Sequence, residues 1–160
     1  MEKYIAEWLL ANEITHKCFS HPPVMTVAEA KEHCAFIPGQ HCKNLFLKDS
    51  KAKKFFLVTL PSSKQTQMRE LRKLIKAKKL SFGSDAELME HLGLKPGAVS
   101  PFGLINDRAN LIHYVVDKEV WEASEVCFHP NTNDETLLLT QEAFHRAVKS
   151  VGNYYTVLEL

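Results

Sequence analysis

The chain lacks any long hydrophobic run, which excludes a helix that spans a membrane. No apolar stretch in its 160 residues approaches the roughly 20 residues needed to cross a bilayer. The first ten residues carry Glu2 and Glu7 within an apolar pattern, so they predict an amphipathic helix and not a signal peptide. We therefore expect a soluble, cytoplasmic protein with no membrane partner.

Cysteine pairs at metal-binding spacing are also absent. The four cysteines stand apart, without a CxxC pair, at Cys18, Cys34, Cys42 and Cys127. Histidines neighbour several of them, but structural zinc sites usually show tighter paired spacing and catalytic zinc sites a His/Glu helix motif. We expect reduced, mainly structural thiols, no metal and no cofactor.

The common catalytic signatures are missing as well. The chain contains no GxSxG, HExxH, Walker or dinucleotide-binding motif. Cys127 and His129 lie two residues apart, and on a strand this spacing places both side chains on one face. A Cys/His nucleophile pair is one interpretation. A buried thiol beside a turn histidine is the other, and it is preferred because unpaired cysteine is commonly a core residue.

Basic residues are concentrated in the middle of the chain, although the formal net charge is only +1. Between residues 43 and 79, 12 lysines and arginines are accompanied only by Asp49 and Glu70. Such a run is either a solvated helix face or a landing surface for a polyanion such as RNA. No RNP aromatic motif, zinc finger or basic zipper accompanies it, so we expect no DNA partner and no standard sequence-reading module.

Hydrophobic periodicity predicts an α+β (α/β mixed) protein, a single compact domain over 1–160 with a mixed or antiparallel sheet and surrounding helices. Helices are predicted over 3–12, from Thr26 towards Cys34, and over 65–77, 84–93 and 140–152. Hairpins are predicted from 44–48 with 54–60, 103–105 with 111–116, and 126–128 with 135–139; further strands are predicted over 16–20 and 154–158.

The segment 93–107 is predicted to be a shaped loop followed by a strand. It contains two prolines and three glycines, which forbid a regular helix. The small residues of Gly97–Pro101, which we call the GxxxP loop, would let a ligand lie close against main-chain groups. Residues 102–107 form an apolar run that predicts the anchoring strand. A stiff loop that offers backbone groups is suited to be an active-site wall.

Two polar clusters are candidates for binding. Lys43 stands at the start of a predicted strand, preceded by His41 and followed by Asn44, and this group can hold a phosphate or a carbonyl oxygen. The alternative is that Lys43 marks a strand end in solvent. His129 opens a Pro-Asn-Thr-Asn turn, where it serves either to bind a ligand or to stabilise the turn.

Four motifs occur in order along the chain: KNLFLKD at 43–49, LSFGS at 80–84, LGLKPGAVSPFGLIND at 92–107 and FHPNTN at 128–133. Together they resemble the YbaK/prolyl-tRNA synthetase editing-domain family, and most closely its freestanding alanyl-tRNA(Pro) deacylases of the ProX type. The resemblance covers nearly the whole chain. It implies a hydrolase that cleaves the ester between a wrong amino acid and the 3′ end of tRNA(Pro), without a side-chain nucleophile.

The resemblance also implies a role for each matching position. Lys43, as an essential residue, and Asn44 would lie at the substrate, and His129 would border the amino-acid pocket. Lys79, where related sequences often carry arginine, would help bind the acceptor end. The ester and its attacking water would be held by the backbone of the GxxxP loop, which consists of Gly97, Ala98, Val99, Ser100 and Pro101.

Several alternatives stay open at this point. The substrate could be cysteinyl-tRNA(Pro) or another small aminoacyl-tRNA instead of alanyl-tRNA(Pro). A module that binds charged tRNA without hydrolysing it is a different class of function. The acceptor end of mischarged tRNA(Pro) is the expected partner, and docking onto prolyl-tRNA synthetase or an elongation factor is also left open.

Overall fold

The computed structural model describes all 160 residues as one mixed sheet with helices around it. The helices are α1 Lys3–Ala11, α2 Val27–His33, α3 Met68–Leu74, α4 Asp85–Leu92, α5 Lys118–Glu122 and α6 Gln141–Val151. The strands are β1 Lys17–Ser20, β2 Gln40–Asp49, β3 Lys54–Pro61, β4 Leu80–Phe82, β5 Ile112–Asp117, β6 Glu125–Phe128, β7 Glu135–Thr140 and β8 Tyr155–Leu158. The predicted α+β class with a mixed sheet is confirmed. None of the helices is long and apolar enough to cross a membrane.

The sheet runs in the order β1-β7-β6-β2-β3-β5-β8, and β4 pairs with β2 outside this path. Two strands share one edge of β2: β6 pairs in parallel with its first residues, Gln40 and His41, and β4 pairs antiparallel with its last three. Residues 42–46, which lie between the two paired stretches, have no strand partner on that edge. This opening in the sheet exposes Lys43 and Asn44.

Three groups of buried apolar side chains hold the layers together. The main core contains 22 buried residues and joins α1, α4 and α6 to the sheet. A second cluster packs Leu71 of α3 against β2, β3 and β5. A third cluster, under α2, has only 5 buried residues, among them Cys34 and Cys127. Helix α2 is therefore attached through the smallest of the three clusters.

Local signals in the sequence explain most helix ends and turns. Thr26 and Ser84 both form the predicted capping boxes, with their hydroxyls accepting from the backbone N–H groups of Glu29 and Glu87. Helix α4 ends at Gly93, which has the left-handed φ of 65°. The hairpins β2–β3 and β6–β7 are confirmed, as are the strands predicted over 16–20 and 154–158.

The prediction of a strand over residues 102–107 is wrong, because Pro101–Asn106 forms a 3-10 helix. Proline is favoured in the first turn of a helix, where its missing N–H costs nothing. The Ser100 hydroxyl then accepts the N–H of Phe102 and caps the turn. The predicted pairing of 103–105 with 111–116 is therefore also wrong, and β5 pairs with β3 and β8 instead.

Three smaller differences concern the lengths and number of elements. The helix predicted over 65–77 is shorter and spans Met68–Leu74. Strand β4 and helix α5, which have 3 and 5 residues, were not predicted. Elements this short carry too little periodicity to be recognised in a sequence.

The buried carboxylate of Asp49 joins two basic turns into one surface. It accepts backbone N–H groups from Lys51 and Ala52 in the β2–β3 turn, at 3.1 Å each. It also accepts those of Lys78 and Lys79 before β4, at 2.6 and 3.0 Å. Although burial alone would raise it, these bonds hold the pKa of Asp49 at about 2. The result is an exposed basic surface that comprises Lys51, Lys53, Lys76, Lys78 and Lys79.

Candidate active site

A cleft opens at the edge of β2 that lacks a strand partner. Two cavities, of about 640 and 210 Å³, meet there and share the lining residues Val27, Ala30, Cys42, Asn44 and His129. We call the two together the central cleft. Its walls are α2, the first half of β2, the GxxxP loop and the turn after β6. The structure thus brings the GxxxP loop and the turn after β6, which are far apart in the sequence, next to α2 and β2.

Lys43 lines the smaller cavity and carries an unpaired positive charge. It is the fourth residue of β2 and half-buried, so it lies deeper than the predicted strand start. The other two half-buried lysines of the basic middle have acidic partners: Lys48 contacts Glu87 at 2.7 Å and Lys64 contacts Asp117 at 2.8 Å. The Lys43 ammonium has no hydrogen bond or ion pair in the protein, and is therefore available to an anionic ligand.

Asn44 connects the strand to the GxxxP loop. Its side-chain Nδ2 donates to the main-chain carbonyl of Val99 at 3.2 Å. Asn44 lines both cavities, so this bond spans the middle of the cleft. The bond fixes the loop at the point where Lys43 and His129 also meet the cleft.

The GxxxP loop presents main-chain donors to the cleft. Gly97 has a left-handed φ of 86°, and the N–H of Ala98 closes a turn onto the carbonyl of Lys95. Gly97 and Val99 line the smaller cavity, and neither N–H donates to any group of the protein. Unbonded N–H groups at a cleft are the usual donors of an oxyanion hole.

The other members of the loop face inward. Ala98, Ser100 and Pro101 are buried, and none of them lines the central cleft. Ser100 uses its hydroxyl to accept the N–H of Phe102, and its carbonyl accepts the N–H of Gly103. Gly97 and Val99 are thus the loop residues that line the cleft, and the other three support the loop behind them.

His129 contributes a neutral imidazole to the cleft. Burial lowers the pKa of His129, although its hydrogen bond to the Glu135 carbonyl acts in the opposite direction. Because that carbonyl can only accept, Nδ1 carries the ring proton across the 2.9 Å contact. The other nitrogen, Nε2, has no protein partner and offers a lone pair to a ligand.

Met25 is a wall of the cleft that sequence reasoning did not identify. Asn133 Nδ2, in the turn after β6, lies 3.2 Å from its sulfur. A Cβ atom built on Gly97 would lie only 2.8 Å from the same sulfur. Met25 thus bridges the GxxxP loop and the His129 turn. No local pattern marks it, because both contacts are long-range.

Lys79 is not part of the central cleft. It is exposed and follows the far end of β2, where its N–H bonds to Asp49. Six residues of strand separate Asp49 from Lys43, a distance of roughly 20 Å at the usual rise per residue. Lys79 cannot touch a ligand held by Lys43 and the loop. A role for it further along an extended ligand stays a prediction.

The thiols in the cleft are not arranged as nucleophiles. Cys127 is buried and donates to the carbonyl of Pro38 at 3.0 Å. Burial raises the pKa of Cys127 to about 12, so the reactive thiolate is not formed near neutral pH. This favours the buried-thiol interpretation over a Cys/His pair. All four cysteines are free, and no three His, Cys, Asp or Glu side chains are grouped to hold a metal ion.

Residues 21–147 match the model of the aminoacyl-tRNA editing domain. The chain belongs to this family. The prolyl-tRNA editing protein ProX of Acetoanaerobium sticklandii is 35% identical over 148 residues, which are 92% of this chain and 90% of that protein. Prolyl-tRNA synthetase associated domain-containing protein 1 of Xenopus laevis is 34% identical over 88% of this chain and 86% of its own length.

Solved structures share the fold. A crystal structure described as a candidate trans-editing enzyme for prolyl tRNA synthetase has a TM-score of 0.75 at 16% identity, over 100% of this chain and 98% of that one. Membership of the family confirms the resemblance stated from the motifs. It also confirms the prediction of an enzyme that hydrolyses aminoacyl-tRNA and acts in translation fidelity.

We predict that Gly97→Ala strongly impairs the enzyme, whereas Gly152→Ala does not. Both glycines have left-handed φ values, 86° and 81°, so alanine costs each variant about 1–2 kcal/mol of folding stability. Only at Gly97 does the new methyl group displace Met25 and shift the loop. We expect at least a tenfold loss of hydrolysis rate for Gly97→Ala, since small misplacements at a reacting centre are costly. Chemical denaturation and single-turnover hydrolysis of mischarged tRNA measure both quantities.

Equal rates in the two glycine variants would contradict this assignment. The backbone strain would then account for any loss, and the contact between Met25 and the GxxxP loop would have no part in the activity.

Proposed function

We propose that this protein removes alanine in trans from mischarged alanyl-tRNA(Pro) in the cytoplasm. The observation that carries the proposal is the composition of the central cleft. Lys43, whose ammonium is unpaired, lines the same cavity as Gly97 and Val99, whose N–H groups are unbonded, and no activated nucleophile accompanies them. This set of groups is suited to hydrolysing an ester with water as the nucleophile.

The reaction requires little more than positioning. A water oxygen attacks the ester carbonyl carbon, and the N–H groups of Gly97 and Val99 stabilise the negative charge that develops on the carbonyl oxygen. The bond from this carbon to the ribose oxygen then breaks, and a proton from the attacking water ends on that oxygen. Alanine and intact tRNA are released. Because an aminoacyl ester is already activated, fixing water and ester together can supply the acceleration.

Each side chain at the cleft has a distinct part in this scheme. The Lys43 ammonium holds the 3′-terminal phosphate, to which it is matched in charge. Neutral His129 accepts a hydrogen bond at Nε2 from the α-ammonium group of the amino acid. Asn44 holds the GxxxP loop through Val99. All three assignments agree with the roles that the motif resemblance implies.

The need for a second site follows from the energetics of pocket recognition. A pocket built for proline cannot strongly reject a smaller apolar side chain, because each missing methylene is worth only about 1–3 kcal/mol. Alanine is therefore attached to tRNA(Pro) at a low frequency. The relatives named for prolyl-tRNA editing support tRNA(Pro) as the carrier, and the motifs favour alanine as the amino acid removed.

We predict faster loss of alanine than of proline when the purified protein is given tRNA(Pro) charged with each. Cysteinyl-tRNA(Pro) belongs in the same panel, because faster loss of cysteine would reassign the substrate. The Lys43→Ala variant should lose activity by at least a hundredfold, since it removes the free charge that holds the terminal phosphate and thereby positions the ester. Lys149→Ala, which removes an exposed lysine from α6, is the matched control.

Two results would overturn the proposal. One is loss of alanine no faster than loss of proline. The other is tight binding of charged tRNA without turnover, which would make the protein a binding module. Near-normal turnover by Lys43→Ala would separately remove Lys43 from the reaction.

The basic surface around Asp49 gives the tRNA a second point of contact. It lies roughly 20 Å from Lys43 along β2, so it is reached by the acceptor stem and not by the terminal nucleotide. Its five lysines are exposed and have no acidic partner in the protein. Phosphate contacts of this kind supply affinity and position without reading sequence.

We predict that Lys78→Ala/Lys79→Ala weakens tRNA binding without slowing hydrolysis in single-turnover reactions at saturation. The slope of log affinity against log salt should become shallower by about 2, one for each lost phosphate contact. The control Lys118→Ala/Lys149→Ala removes the same charge from α5 and α6. An equal change of slope in both double variants would show that net charge, and not this surface, sets the affinity.

A further inference from the structure

A buried chain of polar side chains lies behind Asn44. Thr59 of β3 stands directly opposite Asn44 in the strand register, and its hydroxyl contacts Asn44 Oδ1 at 2.6 Å. The hydroxyl of Tyr114, on β5, contacts the same Thr59 oxygen at 2.9 Å. Thr59 is 0% exposed and Tyr114 1% exposed. This series of hydrogen bonds thus runs from the main core, across β5, β3 and β2, to the edge of the central cleft.

The fixed acceptor role of the Val99 carbonyl determines the direction of each hydrogen bond in this buried series. The Val99 carbonyl can only accept, so Asn44 must present Nδ2 to the GxxxP loop and Oδ1 to Thr59. Thr59 therefore donates its one hydroxyl proton to Asn44 Oδ1, and the Tyr114 hydroxyl donates to the Thr59 oxygen. Burial raises the pKa of Tyr114, which keeps the donating proton in place.

We propose that Thr59 and Tyr114 are positioning residues that orient the Asn44 amide for hydrolysis. Neither side chain lines the cleft, so both act through Asn44. The second hydrogen of Asn44 Nδ2 has no partner in the protein. With Oδ1 held by Thr59, the amide offers the cleft a donor and not an acceptor. The amide also keeps its hydrogen bond to the Val99 carbonyl, and this bond holds the N–H groups of the loop in position.

Removal of the Thr59 hydroxyl has two consequences. Asn44 Oδ1 and the Tyr114 hydroxyl are both left without a partner, and a buried polar group without a partner is costly. Without the Thr59 hydroxyl nothing fixes the orientation of the amide, and a rotation that takes Oδ1 to another donor, such as water, also takes Nδ2 away from the Val99 carbonyl. The GxxxP loop then loses its tether, and the site loses its fixed geometry.

The activity test rests on the proposed function and uses three variants with a control. Thr59→Val removes the hydroxyl with little change of shape, and we expect the rate of single-turnover deacylation at saturation to fall about tenfold. Thr59→Ser restores a hydroxyl and should return the rate to within about twofold of wild type. Tyr114→Phe should give an intermediate loss, since Thr59 keeps its bond to Asn44. Thr156→Val, which removes the hydroxyl that contacts His113, should leave the rate unchanged.

A second measurement is independent of activity. In ¹⁵N-resolved NMR spectra, the Asn44 side-chain amide is identified by its loss in Asn44→Ala. We expect slow hydrogen exchange for the proton bonded to Val99 in wild type and Thr59→Ser, and at least tenfold faster exchange in Thr59→Val. Melting temperatures confirm that each variant compared is folded.

The two measurements separate the possible failures. If wild type hydrolyses no aminoacyl-tRNA, the proposed function fails. The NMR comparison still decides whether Thr59 and Tyr114 orient the Asn44 amide. If wild type is active and Thr59→Val is equally active, or Thr59→Ser is as slow as Thr59→Val, the positioning role is overturned. Unchanged amide exchange in Thr59→Val would overturn it as well, whatever the rates.

Discussion

The hydrogen bond from Asn44 to the Val99 carbonyl is the contact on which the candidate active site depends. The GxxxP loop belongs to no strand, and its residues before Pro101 lie outside any helix, so regular structure does not fix their position. The hydrogen bond from Asn44 fixes these loop residues against β2, at the edge where the sheet lacks a partner strand. The N–H groups of Gly97 and Val99 are unbonded, and both residues line the cleft.

The chemistry of the cleft follows from which groups are charged. Lys43 brings a free positive charge, His129 is held neutral, and the Cys127 thiol is held protonated by burial. A site with an available cation, unbonded main-chain donors and no thiolate is suited to stabilise an oxyanion formed by water. The family assignment supports hydrolysis of aminoacyl-tRNA, and the geometry supports our proposal that water attacks the ester without a covalent enzyme intermediate.

Short sequence patterns correctly predicted the features of this structure that depend on neighbouring residues. The caps at Thr26 and Ser84, the β2–β3 hairpin and the end of α4 at Gly93 each depend on a few neighbouring residues, and all are confirmed. The strand predicted over residues 102–107 is wrong because apolar content outweighed the helix-starting effect of Pro101. The motifs located Lys43, the GxxxP loop and His129. Met25, Thr59 and Tyr114 join the site through long-range contacts, which no local pattern contains.

The most direct test of this account is where the ester carbonyl binds. A non-hydrolysable analogue of the charged terminus, 3′-alanylamido-3′-deoxyadenosine, can be titrated into ¹⁵N-labelled protein, with the unacylated 3′-amino nucleoside as the reference. The account predicts that the alanyl group adds large shifts at the backbone N–H signals of Gly97 and Val99. Shifts confined to other residues, or equal for both nucleosides, would contradict it.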